Sequence, residues 1–285
     1  MEGGAPVVVL VGASSGIGAE LARRYAARAA KFPVRLVLAA RRVAQLEAVA
    51  AQCCVGGGGD GALAAEAVRC VPTDATLPGA LEALMDATVA TFGRVDVVYY
   101  IVGQAMHVKF MDITEVETVA RAMMNTNFHG AVWTAAAAGP HLRASHGVLV
   151  VVSSVAGELA PPYLSFYAAG KHALHGFVES LRNEEPGYDV CVVCPGYVAT
   201  EIDDKKMLGD GSVRSVELNV DKAKYMPAKD AADLIVGAVD KRKPLFHLTS
   251  SGRVAGTLHG LFPGLINSAV RKEMKKITGE AQQQQ

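Results

Sequence analysis

The sequence has no surplus of charge: 28 Lys and Arg residues are matched by 28 Asp and Glu residues over 285 positions. That balance offers no basic face to a nucleic-acid backbone, so no nucleic-acid partner is expected. Nothing in the chain approaches the roughly 20 uninterrupted apolar residues that span a bilayer. The N-terminal apolar run, residues 7–11, is too short for a signal segment, has no basic stretch before it and runs straight into a glycine loop. Cysteine is sparse and odd in number, and Cys53, Cys54, Cys70, Cys191 and Cys194 have no disulfide-like layout. A reducing compartment suits such a set. The expectation is an intracellular, cytoplasmic protein, with peripheral membrane attachment as the alternative. Cys191 and Cys194 have the spacing of a metal or redox pair, but residues three apart on a strand point to opposite faces. They are read as core residues, and no metal site is expected.

Apolar residues make up 51% of the chain, enough for a sizeable core. They fall in short runs separated by helical patterns. Strands are expected at about 7–11, 34–40, 67–71, 95–102, 147–152, 189–194 and 245–248. Helices are expected at about 16–31, 43–52, after Pro78, 114–142, 163–183 and 227–239. Strands alternating with helices imply an α/β fold, a Rossmann-like doubly wound parallel sheet of about seven strands with helices on both faces. No linker or repeat divides the chain, so residues 1–285 form a single domain with its core at about 6–250. The glycine stretch 56–61 reads as a surface loop, and the polar segment 201–226 as a mobile lid.

Strand, glycine turn and helix occur in order at the start, through Gly12-Ala13-Ser14-Ser15-Gly16-Ile17-Gly18. Gly12 permits the tight turn, Gly16 lets a pyrophosphate come close, and Gly18 lets helix pack on strand. The helix N-terminus then presents unpaired N–H groups to the phosphates. Gly12, Ser14, Ser15, Gly16, Ile17 and Gly18 are therefore candidate cofactor-binding residues. After the second strand, where an acid would hold the ribose hydroxyls of NAD, stand Arg41 and Arg42. An arginine there accommodates a 2′-phosphate, so NADP(H) is preferred over NAD(H). Asp74 either receives an adenine amino group or caps the next helix. Tyr167 and Lys171 lie four apart, one turn from each other on one helix face. An ammonium there favours the phenolate of its neighbour, which tunes the tyrosine for proton transfer. Ser154 ends a buried strand and would stand at the carboxyl edge of the sheet.

Taken together with Asn127, Ser153-Ser154, Tyr167-Ala168-Ala169-Gly170-Lys171 and Pro195-Gly196-Tyr197-Val198-Ala199-Thr200, the chain resembles the short-chain dehydrogenase/reductase family over about residues 6–250. The resemblance implies a CH-OH oxidoreductase in which Tyr167 is the acid/base and Ser154 bonds the substrate oxygen. Lys171 would bind the nicotinamide ribose, and Asn127 would hold a proton-relay water. Asp74, Gly103, Pro195, Gly196, Val198 and Thr200 would complete the cofactor site, and a homodimer or homotetramer is expected. One departure stands out: Tyr100-Ile101-Val102-Gly103 replaces the family's usual Asn-Asn-Ala-Gly, so strand-end support near the site must be arranged differently.

The extension at about 251–277 is apolar to Val270 and then basic through Arg271, Lys272, Lys275 and Lys276. It resembles the tails of hydroxysteroid dehydrogenases and lipid-ketone reductases. Either it lies against a membrane interface, or it forms a helix pair packed on the core or a sister subunit. A lipophilic carbonyl substrate (steroid, retinoid or keto-lipid) is expected, with Met106, Val108, Phe110, Pro161, Pro162, Tyr163 and Tyr197 as candidate pocket residues. Two other functions stay open: a silent NADP(H)-sensing regulator, which should have lost Tyr167 or Lys171, and a reductase of small polar carbonyls.

Overall fold

In a computed structural model, residues 4–55, 62–216 and 220–278 are described. The glycine stretch 56–61 lies outside them, as do 217–219 of the expected lid. Seven strands build the main sheet: β1 (Val7–Val11), β2 (Arg35–Ala40), β3 (Val68–Pro72), β4 (Val97–Tyr100), β5 (Val148–Val152), β6 (Asp189–Cys194) and β7 (Leu245–His247). Their spatial order is β7-β6-β5-β4-β1-β2-β3, and every pairing is parallel. The Val-rich runs of β1 and β5 are buried at all positions, as a parallel sheet covered on both faces requires.

The covering helices are α1 (Gly16–Arg28), α2 (Val43–Val55), α3 (Pro78–Phe92), α4 (Val116–Met124), α5 (Gly130–Ser145), α6 (Ser165–Glu184) and α7 (Ala228–Val239). Leu21, Leu46 and Ile235 of α1, α2 and α7 pack against Leu10, Leu36 and Val150 on one face. Leu81, Leu142 and Leu174 of α3, α5 and α6 pack against Val9, Val98 and Leu149 on the other. Cys191 joins the first cluster and Cys194 the second, so the pair splits across the sheet as strand alternation demands. The chain winds outward from β1 to β3 and then resumes at β4 on the other flank of β1. That reversal opens a crevice at the carboxyl ends of β1 and β4, the general place for ligands in such sheets.

The exit of β4 shows what replaces the family's amide side chains. Tyr100 is buried and its hydroxyl donates to the Thr126 carbonyl at 2.5 Å. Thr126 lies in a π-turn, Asn125–His129, between α4 and α5. A Cβ at Gly130 would lie 2.2 Å from the Tyr100 hydroxyl, so the tyrosine needs a glycine facing it. Gly130→Ala is accordingly expected to cost about 1–3 kcal/mol through overpacking. Paired with Tyr100→Phe, which removes the nearer of two obstructing oxygens and leaves the Ala75 carbonyl at 2.7 Å, the same substitution should cost less but still destabilise; a double-mutant cycle by thermal denaturation measures this.

The segment expected as a lid carries short strands and turns where it is described. Strands Lys205–Met207 and Val213–Ser215 form an antiparallel pair, and Lys206 and Met207 pair in parallel with Ala105 and Met106 beyond β4. Backbone pairing thus ties this part of the segment to the β4 exit. The tail is a helix pair, α8 (Ser250–Leu261) and α9 (Pro263–Thr278), packed on each other. Proline at the first position of α9 suits a helix start, because its missing N–H would have no partner there. Val254, Leu261, Phe262 and Leu265 are exposed, whereas Met274 and Ile277 are buried. Among the described residues, no helix is long and apolar enough to cross a membrane.

Candidate active site

The glycine loop leaves β1 with Gly12 at φ +106° and Gly16 at φ +54°, a backbone that side chains other than glycine rarely adopt. A Cβ at Gly18 would lie 2.1 Å from the Gly12 carbonyl oxygen, so helix and loop touch there. Ile17 packs on the core beneath. Ser15 makes no capping bond and the first turn of α1 carries no acidic residue. The uncapped N–H groups and the positive end of the helix dipole therefore favour an anion. Thr200 faces this loop, 3.2 Å from where a Gly16 Cβ would be. Between them lies a cleft of about 550 Å³, with Ser14, Ser15, Thr200, Glu201 and Tyr225 in its wall.

Arg42 and Arg41 part company at the end of β2. Arg42 donates to the Ser14 hydroxyl at 3.1 Å, to the Ser15 hydroxyl at 2.6 Å and to Glu201 at 2.7 Å. Arg41 is exposed, and its charge acts on Asp74. Burial pushes the Asp74 carboxyl upward, but two hydrogen bonds from Thr76 and the nearby Arg41 outweigh it and leave its pKa lowered. The Thr76 amide and hydroxyl donate to Asp74 at 3.0 and 2.7 Å, so this carboxylate holds the turn that leads into α3.

Tyr167 and Lys171 share one face of α6. The Lys171 side chain is buried, its Nζ donates to the Val152 carbonyl at 3.0 Å, and it lies 5.8 Å from the Tyr167 ring centroid. Burial lowers its pKa from 10.5 to about 8, against a smaller opposing effect of Cys194. A Cβ at Gly103 would stand 3.5 Å from Asn127 Oδ1 and 3.9 Å from Lys171 Nζ, ordinary contact distances, so this residue lies directly beside both groups. Asn127 is fully buried in the π-turn. Its amide donates to Gln104 O and Met123 O, both at 3.0 Å, and its oxygen accepts from Gln104 N at 3.2 Å. One acceptor lone pair is left over from these three bonds.

Ser154 caps a 3₁₀ turn, Val155–Gly157, its hydroxyl accepting from the Ala156 amide at 3.1 Å. The Pro195 carbonyl accepts from the Val155 amide at 2.9 Å, and Gly196 faces Thr249. Val198 is buried and pairs with Met226. Two groupings result: the glycine loop with Arg42 and Thr200, and Lys171 with Tyr167, Gly103 and Asn127. Of the expected apolar pocket residues, Met106 is fully buried, while Phe110 and Tyr197 are each 53% exposed. His175 was not singled out from the sequence; its ring bonds the Ser153 hydroxyl at 2.8 Å. Nothing in the sequence joins residues 22 positions apart on different elements.

A glycine cradle with no room for side chains, an uncapped helix N-terminus and a guanidinium above two hydroxyls fit a nicotinamide dinucleotide. Residues 6–210 match the family model described as short chain dehydrogenase. The chain belongs to the short-chain dehydrogenase family. Members are oxidoreductases built on a fold that binds NAD or NADP. The chain is 31% identical to the SDR family protein 7-like dehydrogenase/reductase of Dictyostelium discoideum over 268 residues, 93% of this chain and 81% of that protein. It is 38% identical to 11-beta-hydroxysteroid dehydrogenase 1A of Arabidopsis thaliana over 209 residues, 73% of this chain but only 56% of that protein. A short-chain dehydrogenase from Sphingobium yanoikuyae, solved with NADPH, superposes with a TM-score of 0.69 at 27% identity, covering 92% of this chain and 95% of that one. One from Burkholderia phymatum, solved with NAD, gives 0.74 at 21% identity over 91% and 94%, a likeness of fold alone.

Proposed function

We propose that this dehydrogenase interconverts a ketone and a secondary alcohol with NADP(H), mainly as a reductase, on a lipophilic substrate. The observation that carries the reading is the buried Lys171 beside Tyr167, one helical turn away and next to Gly103. An ammonium in that position stabilises negative charge on the phenol oxygen, so Tyr167 gives its proton to a carbonyl oxygen and takes it back in the reverse direction. Ser154 donates a second hydrogen bond to the same oxygen. Asn127, whose amide is already committed, offers its free lone pair to a water that returns protons to Lys171. The bound dinucleotide supplies the hydride. Gly12, Ser14, Ser15, Gly16, Ile17 and Gly18 would hold its phosphates, Asp74 would border its adenosine half, Gly103 would border its nicotinamide ribose beside Lys171, and Pro195, Gly196, Val198 and Thr200 would fix its carboxamide end.

The NADP preference rests on Arg42 more than on Arg41. Arg42 stands over Ser14 and Ser15, and among the described residues Glu201 competes for it. The Arg42–Glu201 pair is 39% and 56% exposed, and such surface pairs contribute about 1 kcal/mol or less. A 2′-phosphate, which accepts in bidentate fashion, displaces the carboxylate. The lipophilic substrate is supported by the apolar residues beside the dyad: Tyr167 and Phe166 pack against Met106, Val119, Met123 and Met207. Leu261, Phe262 and Leu265, exposed where α8 passes into α9, would bring the site to a membrane surface where such substrates reside.

The test is consumption of NADPH and NADH against a panel of ketones ranging from small polar to steroid-sized. NADPH-dependent turnover of the larger apolar members is expected. Tight NADPH binding with no turnover on any of them would instead mark a sensor. In the same assay Arg42→Ala should weaken NADPH by about 10- to 100-fold, a charge-assisted bond's worth, with little change for NADH. Equal losses for both would remove Arg42 from the phosphate site.

A further inference from the structure

Apart from the groups used above, a second cluster gathers at the ends of β6 and β7. Glu158, Cys194 and His247 each offer one ligand atom, and these atoms all lie within 4.8 Å of one another. They come from three elements. Glu158 follows the 3₁₀ turn that Ser154 caps, Cys194 ends β6 and His247 ends β7. The parallel pairing of those strands sets His247 directly opposite Cys194. On α8, a Cβ at Gly256 would sit 1.8 Å from Glu158 Oε2, so this glycine makes room for the carboxylate. His247 Nε2 lies 2.9 and 3.0 Å from the two Glu158 oxygens. Cys194 is fully buried, and the His247 and Glu158 side chains are 9% and 19% exposed. A second imidazole, His175, has its Nε2 3.6 Å from the Cys194 sulfur.

We propose that Glu158, Cys194 and His247 form a site for a zinc-class divalent cation. The donor set decides the class. Sulfur, imidazole nitrogen and one carboxylate oxygen suit a four-coordinate borderline-soft ion, whereas magnesium and calcium demand oxygen ligands throughout. In binding, the Cys194 S–H bond breaks and a sulfur–metal bond forms, and the proton leaves to solvent. His247 Nε2, which carries the hydrogen donated to Glu158, gives that proton up to solvent while Nδ1 takes one, and the freed Nε2 lone pair binds the metal; no group is oxidised or reduced. The fourth position falls to water or to His175, which would have to leave Ser153. The bound ion ties β6 and β7 to the turn just after Ser154, so it acts as a staple at the edge of the site. Its test is independent of the oxidoreductase reading, because it reads metal binding and no turnover.

The test titrates the full chain, stripped of metal by a chelator, with cobalt(II) and then zinc. One cobalt per chain is expected, with a near-ultraviolet thiolate-to-cobalt band and the visible bands of a four-coordinate ion, all bleached by zinc. Zinc at about a hundredfold excess over its Kd should raise Tm by about 5–10 °C. Cys194→Ser should abolish the near-ultraviolet band, and His247→Gln should weaken cobalt by tenfold or more. A chain with Cys53, Cys54 and Cys70 all replaced by Ser should keep the spectrum. Failure of the wild-type chain to bind stoichiometrically overturns the proposal. So does a band that survives Cys194→Ser, or one lost in the triple variant. Should Cys194→Ser not fold, His247→Gln and Glu158→Gln, checked by circular dichroism, decide: unchanged cobalt affinity in both rejects the site.

Discussion

Tyr167→Phe is expected to lower the turnover of ketone reduction by about 10²- to 10⁴-fold, the range for losing a general acid, with NADPH affinity nearly unchanged. Only one oxygen is removed. The ring keeps its place against Phe166 and the Met106–Met123–Met207 cluster, and α6 keeps its length and packing. Lys171 keeps its bond to the Val152 carbonyl at 3.0 Å, because that bond does not involve the phenol. The cofactor contacts ascribed to Lys171 and to the glycine loop therefore survive, and the loss falls on the chemical step. Single-turnover kinetics with pre-bound NADPH separates the two: hydride transfer should slow while fluorescence titration of NADPH stays the same. Near-normal single-turnover rates would mean that the proton comes from another group, and the proposed mechanism would be discarded.

What the sequence disclosed follows from how local each feature is. The β1 run, the glycine loop and the start of α1 occupy contiguous residues, and their periodicity and turn chemistry need no tertiary information. The seven strands were legible for the same reason, although the expected 95–102 strand shortens to Val97–Tyr100. The π-turn at Asn125–His129 interrupts a tract that reads as one helix, since its cause lies elsewhere: Tyr100 claims the Thr126 carbonyl from 26 residues away. Arg41 and Arg42 look equivalent in a list of residues. Only the direction of the chain entering α2 gives Arg42 to Ser14 and Ser15 and leaves Arg41 exposed. The polar segment 201–226 reads as loop because its strands are two or three residues long, too short to show alternation. Glu158, Cys194 and His247 are invisible as a set for a similar reason. Parallel strands bring together residues separated by whole crossovers, and no spacing rule reaches across that distance.

Lys171→Met should abolish most turnover, by about 10²-fold or more, as expected for losing a buried charge that stabilises the reacting oxygen. The same change should make the cofactor-free protein more stable at neutral pH. A lysine in the unfolded chain holds its proton to about pH 10.5, whereas burial brings Lys171 in the folded chain to about 8. Below pH 8 both forms are protonated, and the fold bears the full penalty of a buried ammonium, about 3 kcal/mol from the shift. Between about pH 8 and 10.5 the unfolded chain binds the extra proton, so wild-type stability rises through that window as the penalty is lost. Methionine fills similar volume with no charge and escapes the penalty at every pH. Against this stands the Val152 carbonyl, which loses a donor at a cost of about 1–3 kcal/mol. The net gain at pH 7 is then about 1 kcal/mol, or a few degrees in Tm, and it should turn into a deficit by pH 10.5. Comparing the two proteins at each pH cancels the titration of groups that do not feel the Lys171 charge; Cys194 and His175, which do, contribute smaller terms of their own. A stability difference that stays flat from pH 7 to 10.5 would show that Lys171 carries no such penalty. A difference that crosses zero would show that the residue most needed for the chemistry is held at the expense of the fold, as active-site charges often are.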